Sequence, residues 1–318
     1  NPSQHVKGEQ IKDVWDNKAL LRSDYQLIAG TAWLFAEPDL DQTLDYLFID
    51  EAGQVALGML VAMATSARNI VLLGDQMQLS QPLQGTHPKD SGLSSLDYLL
   101  EGHATISPER GIFLAKTWRL HTAVCRFISA AVYDGRLDSI SSNDRRQLVL
   151  SSSADPWLAA AGVRIVSMTH QGCSQWSPEE VTRVKSIYEN LLTEAYIDGD
   201  GKQQPIRAEN ILVVSPYNMQ VSKLQQTLPA DARVGTIDKF QGQEAEVVII
   251  SMATSSGEDL PRHIEFLYSK NRLNVAVSRA RCLAVVLLNP ALLNIRCRTS
   301  GQMSLVNTLC WLTEYGGA

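Results

Sequence analysis

The hydrophobic positions of this chain fall into short continuous runs more often than into alternating ones. Several runs are rich in β-branched residues, and continuous apolar strands are typical of a parallel sheet that is buried on both faces. The predicted strands are Tyr25–Ala29, Tyr46–Ile49, Ile70–Leu73, Val163–Met168, Ile211–Ser215, Arg233–Thr236, Glu246–Ser251 and Leu283–Leu288.

Between these runs, apolar residues recur at the spacing of helices. The predicted helices are Ala56–Thr65, Ser94–Leu99, Thr122–Tyr133, Glu179–Tyr196, Gln220–Leu228 and Asn271–Ala280, with a further one at Glu9–Leu21. Strands that alternate with helices predict a doubly wound α/β fold. The serine-rich, charged segment Asp138–Ala154 is predicted to be a surface loop, and Asp198–Gly201 a turn.

Length and composition narrow the class of protein. A chain of 318 residues favours two domains, which we place at residues 1–115 and 116–318. A hydrophobic fraction of 45% excludes wholesale disorder, and no apolar run reaches the ~18–20 residues of a membrane span. Five widely spaced cysteines, with no Cys-x-x-Cys pair, argue against a disulfide framework or a zinc site. They favour a reducing, cytoplasmic setting.

The net charge of −6 does not by itself indicate a nucleic-acid-binding protein, but the charge is unevenly distributed. Between Arg262 and Arg281, five basic residues stand against one acid, Glu265. Taken alone, this excess is interpreted as a solvated helix face.

Candidate chemistry begins where the second predicted strand ends. Asp50 and Glu51 follow it directly, which places two carboxylates at the edge of the sheet where α/β proteins bind ligands. One carboxylate can hold a nucleotide-bound Mg²⁺, and its neighbour can orient or deprotonate an attacking water. The next strand is followed by Gly74 and, four residues later, by Gln78, whose amide is placed to contact a phosphate.

Six segments, in this order, resemble the motifs of superfamily 1 helicases. They are Leu47–Gln54 (motif II), Val71–Leu79 (motif III), Thr117–His121 (an arginine motif), Val214–Gln220 (motif IV), Gly235–Glu244 (motif V) and Leu273–Arg281 (motif VI). The resemblance is to the up-frameshift-like branch, which includes bacterial proteins that fuse such a motor to a RecB-like nuclease. It implies RecA-like domains: an incomplete first one, which carries motifs II and III, and a complete second one.

The resemblance also implies roles in ATP hydrolysis. Asp50 would hold Mg²⁺, Glu51 would activate water, and Gln78 would contact the γ-phosphate. Motif V would place Gln241 and Glu244 against the nucleotide. Arg119 and Arg279 would reach the triphosphate, to which a guanidinium binds bidentately. Arg279 and Arg281 are predicted to lie on one helix and to point apart.

The strand-contacting residues implied by the resemblance are hydroxyl side chains near strand ends. They are Thr31, Ser215, Tyr217, Thr236 and Thr254. Hydroxyls at such positions also form turns and helix caps, so each has a structural alternative. Their common position along one edge of a sheet favours contact with the phosphates of single-stranded DNA or RNA.

The sequence departs from the family at the Walker A pattern, Gly-x-x-x-x-Gly-Lys-[Ser/Thr], which is absent. The only Gly-Lys pair, at Gly201, is followed by Gln203 and lies in a polar turn. Without this loop there are no backbone amides to cradle the phosphates and no lysine to neutralise them. Only 49 residues precede Asp50. Two accounts stay open: truncation of a larger motor, or a natural protein that has lost the loop.

The expected function is therefore that of the C-terminal part of an ATP- and Mg²⁺-dependent helicase or translocase on single-stranded nucleic acid. The alternative is a binding or scaffold module that does not hydrolyse ATP. Expected partners are a nucleic-acid strand and the missing N-terminal part of the same polypeptide. Without the strand of the missing loop, Tyr46–Ile49 would keep an open edge, which predicts self-association or coverage by Asn1–Leu21.

Overall fold

A computed structural model of the protein describes residues 13–20, 25–79, 88–261 and 263–317. These residues form two compact units. The first holds the described residues up to Gln76 and from Pro88 to Gly102, and the second holds Met77–Leu79 and those from His103 onward. The predicted domains, 1–115 and 116–318, use a different boundary and stay a prediction.

The first unit is built on a two-stranded parallel sheet. Its elements are α1 (Asn17–Leu20), α2 (Ala32–Phe35), β1 (Leu44–Ile49), α3 (Leu57–Ala64), β2 (Ala67–Leu72) and α4 (Ser95–Leu100). In β1, Leu47 and Ile49 are buried on one face, while Tyr46 and Phe48 are exposed on the other. Among the described strands, β1 pairs with β2 alone.

Two N-terminal predictions have different outcomes. The strand predicted at Tyr25–Ala29 is wrong, because that segment is not in a strand. Leu27 is 86% exposed, so among the described residues this apolar run has neither a pairing strand nor a packing surface. Of the helix predicted at Glu9–Leu21, the structure has α1; residues 1–12 and 21 lie outside the described residues.

The second unit contains the larger sheet. Its elements are β3 (Lys116–Thr117), α5 (Thr122–Val132), β4 (Asp138–Ser139), β5 (Gln147–Val149), β6 (Gly162–Ser167), α6 (Pro178–Leu191), β7 (Ala195–Ile197), β8 (Gln203–Pro205), β9 (Ile211–Ser215), α7 (Asn218–Thr227), β10 (Arg233–Thr236), β11 (Ala245–Ser251), α8 (Ile264–Leu267), α9 (Lys270–Ser278), β12 (Ala280–Leu288) and α10 (Ser300–Gly316). Five of these strands form one parallel sheet in the order β10-β9-β11-β12-β6.

Both faces of this sheet are covered, as its continuous apolar strands predict. In β11, Val248 and Ile250 pack in one hydrophobic core with residues of α5, α9 and α10. Val247 and Ile249 pack in a second core with residues of α6 and α7. The predicted α/β fold with a parallel sheet between helical layers is confirmed. Within the described residues, no helix is long and apolar enough to cross a bilayer.

A small antiparallel sheet, β5-β7-β8, accounts for the main differences within this unit. The predicted surface loop Asp138–Ala154 contains β4, β5 and a 3₁₀ helix. The helix predicted to reach Tyr196 ends at Leu191, because the next residues enter β7. The turn predicted at Asp198–Gly201 joins β7 to β8, where Asp198 N donates to Lys202 O at 2.9 Å.

Candidate functional site

The two predicted carboxylates of the first unit lie in the turn that follows β1. The amide of Glu51 donates to Asp50 Oδ1 at 2.9 Å, and Gln54 Nε2 donates to Glu51 Oε2 at 3.1 Å. Both carboxylates are exposed. The backbone of Glu51 has φ 52° and ψ 39°, a left-handed conformation that costs a non-glycine residue about 1–2 kcal/mol. This turn therefore presents two solvent-accessible carboxylates on a constrained backbone.

Glycines allow the turns after β1 and β2 to approach each other closely. A Cβ at Gly53 would lie 2.6 Å from the Asp75 carbonyl oxygen, and one at Gly74 would lie 2.7 Å from Ala52 N. The backbones also bond directly, since Ala52 N donates to Leu73 O at 2.8 Å. Motifs II and III are therefore held side by side at one end of this sheet.

Gln78 lies in the three-residue segment that belongs to the second unit. Its carbonyl oxygen accepts from Asn271 Nδ2 at 2.6 Å, and that of Met77 accepts from Asn274 Nδ2 at 2.9 Å. Both asparagines lie on α9. Motif III thus reaches the helix of motif VI through backbone carbonyls, which leaves the role predicted for the Gln78 side chain as a proposal.

Charged side chains converge where β11 and β12 begin. Glu244 immediately precedes β11 and forms ion pairs with both Arg119 and Arg281. Arg281 also bonds Glu246 at 3.0 Å. The segments that carry Arg119 and Arg281 are also joined by a backbone hydrogen bond, because His121 N donates to Arg281 O at 2.9 Å. We call Arg119, Glu244, Glu246 and Arg281 the amino-edge cluster, because it lies at the amino ends of these strands.

The arginines control the protonation of Glu244. Burial alone would raise the pKa of this carboxyl group, but hydrogen bonds and charge from Arg281 and Arg119 outweigh burial and lower the pKa below its ordinary value of 4.5. Glu244 is therefore ionised at neutral pH and bound between two cations.

Arg279 and Gln241 lie close to this cluster. Arg279 is 3% exposed and donates from Nη1 to the Gln243 carbonyl at 3.3 Å. Its own carbonyl accepts from Ala245 N at 3.0 Å. Gln241 Nε2 is buried and has no hydrogen-bond partner among the described residues. The structure thus brings together Arg119, Glu244 and Arg279, three of the residues predicted to bind nucleotide, and Gln241 lies three residues before Glu244.

The prediction that Arg279 and Arg281 share a helix is wrong. Helix α9 ends at Ser278, Arg279 caps it, and Arg281 is the second residue of β12. The chain passes from the helix into the strand with no glycine or proline between Val275 and Leu288, so no turn signal marks the boundary. Arg281, which sequence reasoning had treated as uninvolved, is the residue that joins Glu244 to Glu246.

The predicted strand-contacting residues of the second unit lie at the opposite, carboxyl edge of the sheet. Ser215 ends β9, Thr236 ends β10, and Thr254 follows β11. Ser215, Tyr217 and Thr254 are buried. Thr254 Oγ1 donates to Ser174 O at 2.7 Å and lies 3.3 Å from Tyr217 Oη. These buried hydroxyls support the turns. In the first unit, Thr31 caps α2 from an exposed position and makes no side-chain cap bond.

A buried polar network at the carboxyl edge was not predicted. Glu180 accepts from Ser251 Oγ at 2.5 Å and from Ala253 N at 3.0 Å, and it bonds His170 Nε2 at 3.1 Å. The His170 and Glu180 side chains are fully buried. His170 Nδ1 bonds Ser255 Oγ at 2.8 Å. Although His170 and Glu180 are 10 residues apart, their partners Ser251, Ala253 and Ser255 are 71 to 85 residues away, so no local pattern could reveal the network.

The local excess of positive charge is not one solvated helix face. Arg272 pairs with Asp238 at 3.1 Å and lies 4.4 Å from the centroid of the Phe266 ring. Arg279 is buried, and Arg281 is ion-paired. Arg262 lies outside the described residues. The excess is used instead for bonds within the second unit.

A comparison with protein families matches residues 93–291, more than half of the chain, to the AAA_12 family of AAA domains. The chain belongs to the AAA_12 family. The resemblance inferred from the motifs is confirmed: this is the motor region of a superfamily 1 helicase of the up-frameshift-like branch, with the RecA-like fold.

Named relatives of this AAA_12 chain include proteins described as helicases. It is 27% identical over 276 residues to the DNA replication ATP-dependent helicase/nuclease JHS1 of Arabidopsis thaliana, covering 80% of the chain and 20% of that protein. It is 26% identical over 299 residues to the DNA polymerase alpha-associated DNA helicase A of Schizosaccharomyces pombe, covering 86% and 44%. A solved complex of an Arterivirus helicase, nonstructural protein 10, with DNA has a TM-score of 0.38 and 16% identity, covering 77% and 40%. The chain spans less than half the length of each of these three proteins.

Proposed function

We propose that the chain is the C-terminal motor portion of an ATP-dependent helicase or translocase that moves on single-stranded nucleic acid. The observation that carries this proposal is the meeting of Arg119, Glu244 and Arg279 at the amino edge of β11 and β12. Two of them, Arg119 and Glu244, also keep part of their side chains exposed, at 39% and 27%. They are therefore accessible to a ligand.

The residues present fit one side of a nucleotide. Gln241 has a buried amide nitrogen with no partner among the described residues, and such a group is costly unless a ligand accepts from it. Arg119 and Arg279 are the cations suited to phosphate oxygens. Glu244 would bind the ribose, and Gln78 the γ-phosphate.

The carboxylate turn of the first unit supplies the complementary chemistry. Asp50 would hold the Mg²⁺ that accompanies the nucleotide, and Glu51 would orient or deprotonate water. The described residues contain no group of three or more His, Cys, Asp or Glu that could hold a metal ion by itself. A single carboxylate ligand fits an ion whose other ligands are phosphate and water oxygens.

In the proposed motor, the phosphate cradle would lie outside these 318 residues. No Walker A pattern occurs in the 318 residues, and the relatives are more than twice as long as the part that this chain matches. We assign the cradle to an N-terminal part of the same polypeptide. The exposed Tyr46 and Phe48 of β1, whose rings lie 6.2 Å apart, would be covered by that part or by self-association. A cytoplasmic setting accords with the cysteine pattern.

The single strand of nucleic acid would run along the carboxyl edge of the five-stranded sheet. Thr236 lies at this edge and is only partly buried, so its hydroxyl is available to a phosphate. Ser215, Tyr217 and Thr254 are buried, so their contribution is to shape the turns over which the strand passes. Thr31 would contact the strand from the first unit.

The test measures ATP hydrolysis and strand binding in two forms of the protein. The 318-residue chain should bind labelled single strands but should not hydrolyse ATP, with or without a strand. A longer form that carries the phosphate cradle should hydrolyse ATP when a strand is added, and Glu51→Gln should abolish this. Hydrolysis by the 318-residue chain that Glu51→Gln abolishes would contradict the assignment of the cradle.

The absent Walker A pattern also supports a second candidate, a nucleic-acid-binding module that does not hydrolyse ATP. It predicts strand binding without turnover in every natural form of the protein. A longer natural form that has no phosphate-binding loop and binds strands would favour this candidate over the motor.

A further inference from the structure

A shallow depression of about 350 Å³ lies beyond the carboxyl end of β6. Its lining includes Cys173, Trp176 and Pro178 from the loop before α6 and its first turn, together with Met219 of α7. Thr254 borders this loop, since its hydroxyl donates to Ser174 O. The depression is therefore continuous with the edge at which the strand is proposed to bind.

Trp176 is the distinctive side chain of this depression. Its side chain remains 37% exposed, and Lys223 Nζ lies 5.4 Å from the centroid of its ring. Met219, one helical turn before Lys223, is 47% exposed. An accessible indole beside a cation is suited to single-stranded nucleic acid, because bases stack on aromatic rings and lysines contact phosphates.

The loop that carries Trp176 is fixed in place before any ligand binds. Thr254 Oγ1 donates to Ser174 O at 2.7 Å, and Cys173 N donates to Ser255 Oγ at 2.9 Å. Ser255 in turn bonds the buried His170 at 2.8 Å. A side chain presented on a fixed loop loses little conformational entropy on binding, which favours affinity.

Charge decides which part of a strand would occupy the depression. Glu179 lies on its rim, where its own backbone amide and the hydroxyl of Ser177 lower the pKa of its carboxyl group. This anion disfavours a phosphate within the depression, whereas an uncharged base is tolerated. Lys223 offers the adjoining phosphate a cation outside it.

We propose that Trp176 stacks on a base of the bound single strand and that Lys223 contacts the neighbouring phosphate. The inference rests on the proposed strand binding and adds a base-stacking site that none of the helicase-like motifs contains. It also gives the buried His170–Glu180 network a role, which is to hold the stacking loop in position.

The test is the affinity of the intact 318-residue chain for fluorescently labelled oligodeoxythymidylate and oligouridylate, measured by anisotropy. Trp176→Ala should weaken binding roughly 5- to 150-fold, the range for loss of one stacked base. Trp176→Phe should stay within about threefold, because a ring is retained. Lys223→Gln should reduce the slope of log affinity against log salt by about 0.7.

Trp157 provides the matched control. It is 44% exposed on the same unit, but it precedes β6, whereas Trp176 follows it, so the two lie at opposite ends of that strand. Trp157→Ala should leave affinity unchanged. An oligomer whose bases are replaced by abasic sites should bind wild type and Trp176→Ala equally, since only the stacking contact distinguishes them.

The outcomes separate this inference from the proposed function. If wild type binds strands and both Trp176 variants bind equally well, the stacking site is wrong and strand binding stands. If the wild-type chain binds no single strand, both the stacking site and the proposed strand binding are wrong. An equal loss in Trp157→Ala, or a Trp176→Ala defect that persists on the abasic oligomer, also overturns the stacking site. If Trp176→Ala does not fold, Trp176→Gln takes its place, because it also removes the ring and should show the same loss.

Discussion

The two edges of the five-stranded sheet have opposite chemistry. At the amino edge, Arg119, Glu244 and Arg281 are charged, partly exposed and paired with one another. At the carboxyl edge, the polar side chains around Glu180 and Ser251 are fully buried and bonded internally. Partly exposed ion pairs can exchange partners for a ligand at modest cost, whereas a buried network resists change. The amino edge is thus suited to reaction, and the carboxyl edge to support.

The prediction with the largest expected effect tests whether the amino edge of the sheet takes part in ATP hydrolysis. In a longer form that carries the phosphate cradle, Arg279→Ala should reduce strand-stimulated ATP turnover by roughly 10³–10⁵-fold, because such an arginine stabilises charge in the transition state. Strand affinity should change only a few-fold. The measurements are steady-state hydrolysis at saturating strand and anisotropy.

Arg281 cannot serve as the control for this experiment, because it bonds Glu244 and Glu246. The exposed Arg145 of the same unit is suitable, and Arg145→Ala should leave turnover unchanged. If Arg279→Ala weakened binding of the nucleic-acid strand and left ATP turnover normal, Arg279 would belong to the strand-binding surface. The amino edge would then not be the site of ATP hydrolysis.

The second prediction tests the rigidity of the carboxyl edge. Glu180→Gln should lower the free energy of unfolding by about 3 kcal/mol, the lower end of the range for removing one partner of a buried pair. Urea denaturation of the second unit provides the measurement. Glu189→Gln, which breaks the exposed pair with Lys185 on the same helix, should cost only about 0.3–0.5 kcal/mol. If the two variants lowered the free energy of unfolding equally, the buried network around Glu180 would not stabilise the carboxyl edge.

A smaller effect is expected for one of the two hydrogen bonds that hold the stacking loop. Thr254→Val removes the hydroxyl that donates to Ser174 O, which should cost about 1 kcal/mol of unfolding free energy. Thr182→Val, which removes a similar hydroxyl bond to Pro178 O on an exposed helix face, should stay within about 0.5 kcal/mol. Thermal or urea denaturation can resolve the difference. A neutral Thr254→Val would show that this bond does not stabilise the loop.

The smallest effect is a pH dependence at the amino edge. Because the pKa of Glu244 is lowered in the folded protein, its charge stabilises the fold above its ordinary value of 4.5, and this contribution is lost as pH falls through the folded pKa. Glu244→Gln should therefore cost up to about 1 kcal/mol at pH 7 and progressively less as the pH falls through the folded pKa of Glu244. Urea unfolding at several pH values tests this, and a cost that does not change as the pH is lowered would contradict it.

The parts of the fold that sequence predicted well are those in which one physical signal dominates. Continuous apolar runs located β6, β9, β11 and β12 to within a few residues, because burial on both faces requires apolar residues throughout. The strands β5 and β8 are three residues long and partly polar, so they gave no periodic signal. They depend on antiparallel pairing with β7, which only the tertiary structure reveals.

Some residues of the candidate site could be identified from the sequence, and others could not. Arg119, Glu244 and Arg279 could be identified because their motifs are continuous in sequence. The stacking pair, Trp176 and Lys223, is 47 residues apart, and the pair His170 and Ser255 is 85 residues apart. Their strands are not neighbours in the sheet, so only the packing of the loops and helices at its carboxyl edge brings these residues together. Arg281 was placed on the wrong element because α9 and β12 meet without a glycine or proline.

One strand links the two edges directly. Glu244 and Glu246 lie at the start of β11, and Ser251 and Thr254 lie at its end. Seven residues at ~3.3 Å each make it a spacer of about 20 Å. Since β11 is paired on both sides and buried on both faces, we expect it to move only as one rigid body with its sheet. Under the proposed function, a tilt of the sheet of about 10° about its amino edge would move the carboxyl edge by ~3.5 Å, so nucleotide contacts at one edge would be coupled to the nucleic acid at the other.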